Sequence, residues 1–150
     1  MARPIGIVSS DDAEDVSESL SSRSLIRVDV EGLFGVFDYR IETKSDPSNL
    51  LILYGDNGSG KTTLLESIHH LLSPAMNHGH RKYLSSVQFR RLAVHFTDGW
   101  QMSAERPSSQ IGDFSIVCTD PKQPKPDIFR YDATEKKLSE GKSADHLRPL

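Results

Sequence analysis

The sequence contains one cysteine, Cys118, and one tryptophan, Trp100. A single thiol cannot close an internal disulfide, so a disulfide scaffold is excluded and nothing in the thiol content points to an oxidising compartment. Long apolar runs are absent as well. The longest, Leu50 to Tyr54, has five residues, against the ~20 that a membrane-crossing helix needs. The start, MARPIGIVSSDDAED, offers one Arg and a four-residue apolar patch, too little for the core of a secretory signal. The expectation is a cytoplasmic protein with no membrane partner.

A strong charge of either sign is also missing. The formal net charge is −3, and residues 1–22 carry five acids against Arg3 alone, so that stretch is −4 and the rest about +1. The remainder therefore lacks the basic excess of a dedicated nucleic-acid binder. With 36% hydrophobic and 26% charged residues, the chain is globular in composition. At 150 residues it can bury roughly 68–70% of the surface that its unfolded form exposes.

Residues 1–23 mix Ser with Asp and Glu and show no apolar periodicity, a composition that cannot offset the entropy of ordering, so a disordered acidic, Ser-rich tail is expected there. Leu25, Ile26, Val28 and Val30 alternate with Arg27, Asp29 and Glu31 as a half-buried strand that Gly32 ends. A second extended segment runs from Val36 to Thr43, and the short link Leu33-Phe34-Gly35 pairs the two antiparallel. Leu50 to Tyr54 reads as a strand buried on both faces.

Lys61 to Leu72 reads as a helix, with Leu64, Leu65, Ile68, Leu71 and Leu72 on one side and Ser73-Pro74 as its stop. Residues 75–88 read as a mostly irregular connection. Leu92, Val94 and Phe96 then alternate with Arg91, His95 and Thr97, and Asp98-Gly99 turns the chain into a return strand over Trp100 to Glu105. Further strands are expected at Phe114 to Thr119 and Ile128 to Tyr131.

Between the buried strand and the helix stands Gly55-Asp56-Asn57-Gly58-Ser59-Gly60-Lys61-Thr62, which fits G-x-x-x-x-G-K-[ST], the P-loop or Walker A pattern. Glycines let the backbone bring successive N–H groups against phosphate oxygens, where a Cβ would block the approach. The helix that follows points its positive end at the same anion. Lys61 is placed to reach the β- and γ-phosphates of ATP, and the Thr62 hydroxyl to bind Mg²⁺. A match by chance in a chain this long is on the order of 0.5%, given Gly at roughly 7% of residues, so a merely structural Gly-rich turn is the weaker reading.

NLLILYGDNGSGKTTLLESIHHLLSP resembles the N-terminal lobe of ABC-type ATPases, more closely the SMC and RecF group and the related AAA family ATPases of DNA repair and antiphage defence than the transporters. Asn57-Gly58-Ser59-Gly60, Leu64-Leu65-Glu66-Ser67-Ile68 and the strand ending in Phe37-Asp38-Tyr39-Arg40-Ile41 carry the likeness, which covers about residues 24–120 and is specific over 50–74. It implies an α/β fold: a strand–P-loop–helix lobe with the P-loop at 55–62, the helix at 61–73 and an antiparallel β-subdomain of hairpins over about 89–131, within an ATPase head that starts at residue 24. It also places Asn57 and Thr63 near the nucleotide, beside Gly55, Asp56, Gly58, Ser59, Gly60, Lys61 and Thr62. Implied further is a longer protein that dimerises head to head, hydrolyses ATP, and acts on DNA or through an effector protein.

The hydrolytic parts of that family are not found in the sequence. A Walker B strand is an apolar run ending in Asp-Glu, and the nearest segment, Phe114 to Asp120, has Pro121 where the Glu belongs. Leu138-Ser139-Glu140-Gly141-Lys142 has only a passing likeness to the LSGGQ signature, because Glu140 replaces a glycine and would repel a phosphate; a polar turn is the better reading. The chain is therefore expected to be an incomplete domain that binds ATP weakly at best, does not turn it over and contributes no catalytic residue. Two alternatives remain: an ABC transporter-type subunit, or a non-hydrolysing nucleotide-binding or interaction module complete at this length. A fragment would leave the edge of the Leu50–Tyr54 strand and the apolar side of the 61–72 helix exposed.

Four further features have modest functional readings. His69-His70 with His78 and His80 lacks a completing Cys or acid for a metal, and Arg81-Lys82 and Arg90-Arg91 read as solvated charges before they read as phosphate contacts. Phe37 or Tyr39 is a candidate to stack on adenine, and Cys118, on an apolar strand, reads as a small buried hydrophobe.

Overall fold

The computed structural model describes residues 23–43, 53–74, 79–132 and 137–139. Seven strands form one sheet in the order β2-β1-β3-β4-β5-β6-β7, and every pair is antiparallel. The strands are β1 (Leu25–Leu33), β2 (Phe37–Glu42), β3 (Phe89–Phe96), β4 (Gln101–Gln110), β5 (Phe114–Thr119), β6 (Asp127–Tyr131) and β7 (Lys137–Ser139). Two helices, α1 (Lys61–Leu72) and α2 (His80–Ser86), complete the described elements.

Alternation sets the two faces of the sheet. Val28, Val30 and Leu33 of β1, Leu92, Val94 and Phe96 of β3, Met102 and Ala104 of β4, Phe114 and Ile116 of β5, and Phe129 and Tyr131 of β6 are buried in one cluster with Leu64, Ile68 and Leu71 of α1 and Leu84 of α2. Each such side chain removed from water contributes about 1.5–3 kcal/mol. The helices therefore cover one face. Charged residues hold the other: Asp29 accepts from Arg27 Nε and Arg40 Nε, both at 2.9 Å, and meets His95 Nε2 at 2.9 Å.

Two buried arginines join the layers through backbone carbonyls. Arg106 donates to Leu84 at 2.7 Å, Val87 at 2.6 Å and Asp113 at 3.3 Å, with its guanidinium 4.1 Å from the Phe89 ring centre. Burial pushes it down to about 10, so it stays a cation at neutral pH. Arg81 donates to the carbonyls of His70 at 3.1 Å, Leu71 at 3.3 Å and Ser73 at 3.3 Å, satisfying the last turn of α1 from α2.

Several expectations need correction. Gly32 does not end β1: it sits inside the strand at φ +66, where the register shifts between Val30 and Leu33, so it makes a bulge. The region expected to be irregular contains α2; residues 75–78 lie outside the described residues. β4 runs five residues past Glu105 and includes Pro107, which is tolerated because the pairing with β5 ends at Glu105 and that with β3 is broken by a bulge. Leu138 and Ser139, expected in a polar turn, lie in β7, which pairs with β6, and residues 140–142 of that turn lie outside the described residues. Arg23 does not belong to a tail, since its Nε lies 2.7 Å from Asp98 Oδ2 and its guanidinium 4.8 Å from the Trp100 ring centre. The expected tail otherwise falls outside the described residues.

The expected strand at Leu50 to Tyr54 is testable only at its end, since residues 44–52 are outside the described set. Leu53 and Tyr54 are not in a strand, and Tyr54 is 93% exposed. Among the described residues the sheet has no parallel pair.

Candidate functional site

The Gly55-to-Thr62 segment forms a turn that leads directly into α1. Gly55 is at φ +154, Gly58 at +84 and Gly60 at +82, conformations that a side chain resists. Ser59 N donates to Asp56 O at 3.3 Å, closing the turn, and Leu64 N donates to Gly60 O at 2.8 Å as the first helical bond. Gly60 is the N-cap, with no side chain occupying the cap position and no acid in the first helical turn. Gly60 offers the N–H groups that open α1 no side-chain acceptor, and the helix end is positive.

Lys61 folds back over the loop it follows. Its ammonium donates to Gly55 O at 2.7 Å, to Asp56 O at 2.6 Å and to Ser59 Oγ at 3.4 Å. The charge therefore sits across the loop from end to end. Gly58 has open space where a Cβ would stand, and Asp56, Asn57 and Thr62 are exposed. Thr63 is half-buried and its carbonyl accepts from Ser67 Oγ at 2.6 Å, inside the helix. The structure thus gathers Gly55 through Lys61 into one turn, with Thr62 free at its rim.

Neighbouring β-structure presses on the same turn. Tyr39 Oη of β2 donates to Ser59 O at 2.8 Å. A Cβ on Gly60 would lie 2.9 Å from Leu33 Cδ2 and 3.0 Å from Phe34 Cε2. Phe34 itself is at φ +55, costly for a bulky residue, and its N–H donates to Gln88 O at 2.9 Å. Nothing in the sequence singled out this contact beyond the aromatic pair Phe37 and Tyr39, whose rings stack at 5.8 Å.

The other candidates resolve into structural roles. Asp120 accepts from Lys122 N at 2.9 Å through its carboxylate and from Gln123 N at 3.0 Å through its carbonyl, so it closes the turn after β5. Arg90 pairs with Glu31, and Arg91 Nε lies 3.2 Å from Glu105 Oε1. His70 Nδ1 and His80 Nδ1 are 2.7 Å apart, and the His70 ring stacks on Tyr83 at 4.1 Å. No group of three metal-ligating side chains able to hold an ion occurs among the described residues. Cys118 is buried, and burial pushes its thiol up to about 11, so it is not a nucleophile at neutral pH.

No helix among the described residues is long and apolar enough to cross a membrane. Comparison of the chain with protein-family models and with curated proteins gives no match to either.

Proposed function

We propose that residues Gly55 to Thr63 bind the phosphates of Mg·ATP. The observation that carries this reading is the Lys61 ammonium lying across a loop of left-handed glycines at the uncapped N-terminus of α1. Such a site offers backbone N–H groups, a helix end and one cation to an anion, and no carboxylate in the first helical turn opposes it. Gly58, Ser59, Gly60 and Lys61 would hold the β- and γ-phosphates, with Asp56 and Asn57 at the rim and Thr63 supporting the first turn. The Thr62 hydroxyl is exposed and suits a hard cation such as Mg²⁺. Bound Mg²⁺ would neutralise phosphate charge at the loop.

The wider reading is the head of an SMC/RecF-like ATPase, which in a longer protein dimerises head to head and hydrolyses ATP for DNA maintenance or antiphage defence. The P-loop motif and the antiparallel sheet beside α1 support it. A non-hydrolysing nucleotide-binding module is favoured by one observation: Leu64, Ile68 and Leu71 of α1 are buried in the cluster with the sheet. Leu65, 45% exposed, and Tyr54 favour the fragment. Both readings share the loop.

Calorimetric titration with Mg·ATP tests that shared claim. The chain binds, and Lys61→Ala lowers affinity at least about tenfold, the worth of one charge-assisted contact to phosphate. Equal affinity in the variant would show that the loop is not the site.

A further inference from the structure

The phosphate-binding loop is held from outside by the β1–β2 hairpin. Tyr39 Oη donates to Ser59 O at 2.8 Å, across 20 residues of sequence. The Ser59–Gly60 peptide is trans, and a trans peptide points its C=O and its N–H in opposite directions. A hydroxyl that keeps Ser59 O turned toward β2 therefore keeps the Gly60 N–H turned away from β2. Gly60 cannot swivel easily either, because Leu33 Cδ2 and Phe34 Cε2 fill the space beside its Cα. Phe34 keeps that position at a backbone angle that costs energy, with its N–H bonded to Gln88 O.

We infer that Tyr39 is a positioning residue for phosphate binding: its hydroxyl fixes the Ser59–Gly60 peptide so that the Gly60 N–H is preset as a donor to the anion. This rests on the reading of Gly55 to Thr63 as the phosphate loop. It differs from a role in stacking on adenine. The Tyr39 ring is engaged with Phe37, and its reach to the ligand runs through the loop. Presetting a donor lowers the ordering cost of binding, so removing the hydroxyl weakens every ligand that bears the phosphates.

Tyr39→Phe removes the hydroxyl and keeps the ring. Calorimetry is run with Mg·ATP and with inorganic tripolyphosphate on the wild-type chain, Tyr39→Phe and Lys61→Ala, together with the amide nitrogen and proton shifts of Gly60 in the free protein. The result expected is a loss of about fivefold for both ligands in Tyr39→Phe, in line with one net hydrogen bond, and a displaced Gly60 amide resonance. Loss for Mg·ATP alone would overturn the inference in favour of adenine stacking. A lowered melting temperature with both affinities unchanged would overturn it in favour of a merely structural tyrosine. Failure of the wild-type chain to bind either ligand would overturn the underlying reading of the loop, and the inference with it. Should Tyr39→Phe not fold, Phe34→Gly relieves the strained backbone and withdraws the ring from Gly60; weaker tripolyphosphate binding by the folded variant is then expected, and unchanged binding overturns the hairpin's role.

Discussion

Asp29 shows how much one side chain can hold on the open face of the sheet. It is 6% exposed and contacts Arg27, Arg40 and His95. Burial alone would raise its carboxyl, but the hydrogen bond from Arg40, the charge of Arg27 and the contact with His95 outweigh it, and the group sits below its ordinary value. A carboxylate lowered in the folded state contributes stability above about pH 4, and that contribution is lost as pH falls through the lowered value. Asp29→Asn keeps the shape and removes the charge. It costs about 2 kcal/mol at neutral pH and flattens the acid limb of stability, as urea denaturation at pH 7 and pH 3 would report; an unchanged acid limb would remove Asp29 from the account. The residues that carry the loop were plain in the sequence because their chemistry is local: glycines, a lysine and a threonine at fixed spacing before a helix. The roles of Arg81, Arg106 and Tyr39 were not: Arg81 read as a solvated charge and Tyr39 as an adenine-stacking candidate, whereas their acceptors are backbone carbonyls in other elements. A carbonyl leaves no mark in residue identity.

Among the elements, the strands were legible wherever apolar and polar residues alternate, as in Leu92, Val94 and Phe96 against Arg91 and His95. Helix α2 was not, because its seven residues contain only Tyr83 and Leu84 as large apolar groups, too few to show a period. Its position is set by packing: Leu84 is fully buried and Arg81 closes the end of α1. The contact between His70 and His80 is the titratable part of this junction, with Glu66 and His69 of α1 and Arg81 and Tyr83 of α2 around it. Burial, then the neighbouring His80 and His69, keep His70 below its ordinary value, with Glu66 opposing. A histidine held neutral when folded binds fewer protons than when unfolded, so its stabilising contribution is present above about pH 6.5 and lost as pH falls below that. His95 is lowered in the same direction by burial and Arg27. The melting temperature therefore falls between pH 7.5 and 5.5. In His70→Phe, which keeps the stack on Tyr83, the fall is smaller, with His95 contributing to the residual slope; equal slopes in the two proteins would contradict this.

At the scale of the molecule, the described residues form a seven-stranded antiparallel sheet that backs two helices on one face, and the Gly55–Thr62 loop lies where the sheet, the hairpin and the first helical turn meet. The antiparallel hairpins were readable from their turns, Asp98-Gly99 most clearly, since Gly99 at φ +81 meets what that turn demands. The strand expected before the loop was not found at Leu53 and Tyr54, where an apolar pair that reads as core is partly or wholly in water. Sequence periodicity cannot say which neighbour covers a run of five residues. Backbone amide resonances followed during a Mg·ATP titration report on phosphate binding at the loop residue by residue. Saturable shifts concentrated at Gly58, Gly60, Lys61 and Thr62 are expected, and none with adenosine. Shifts confined to residues away from this loop, or none at all, would contradict phosphate binding there.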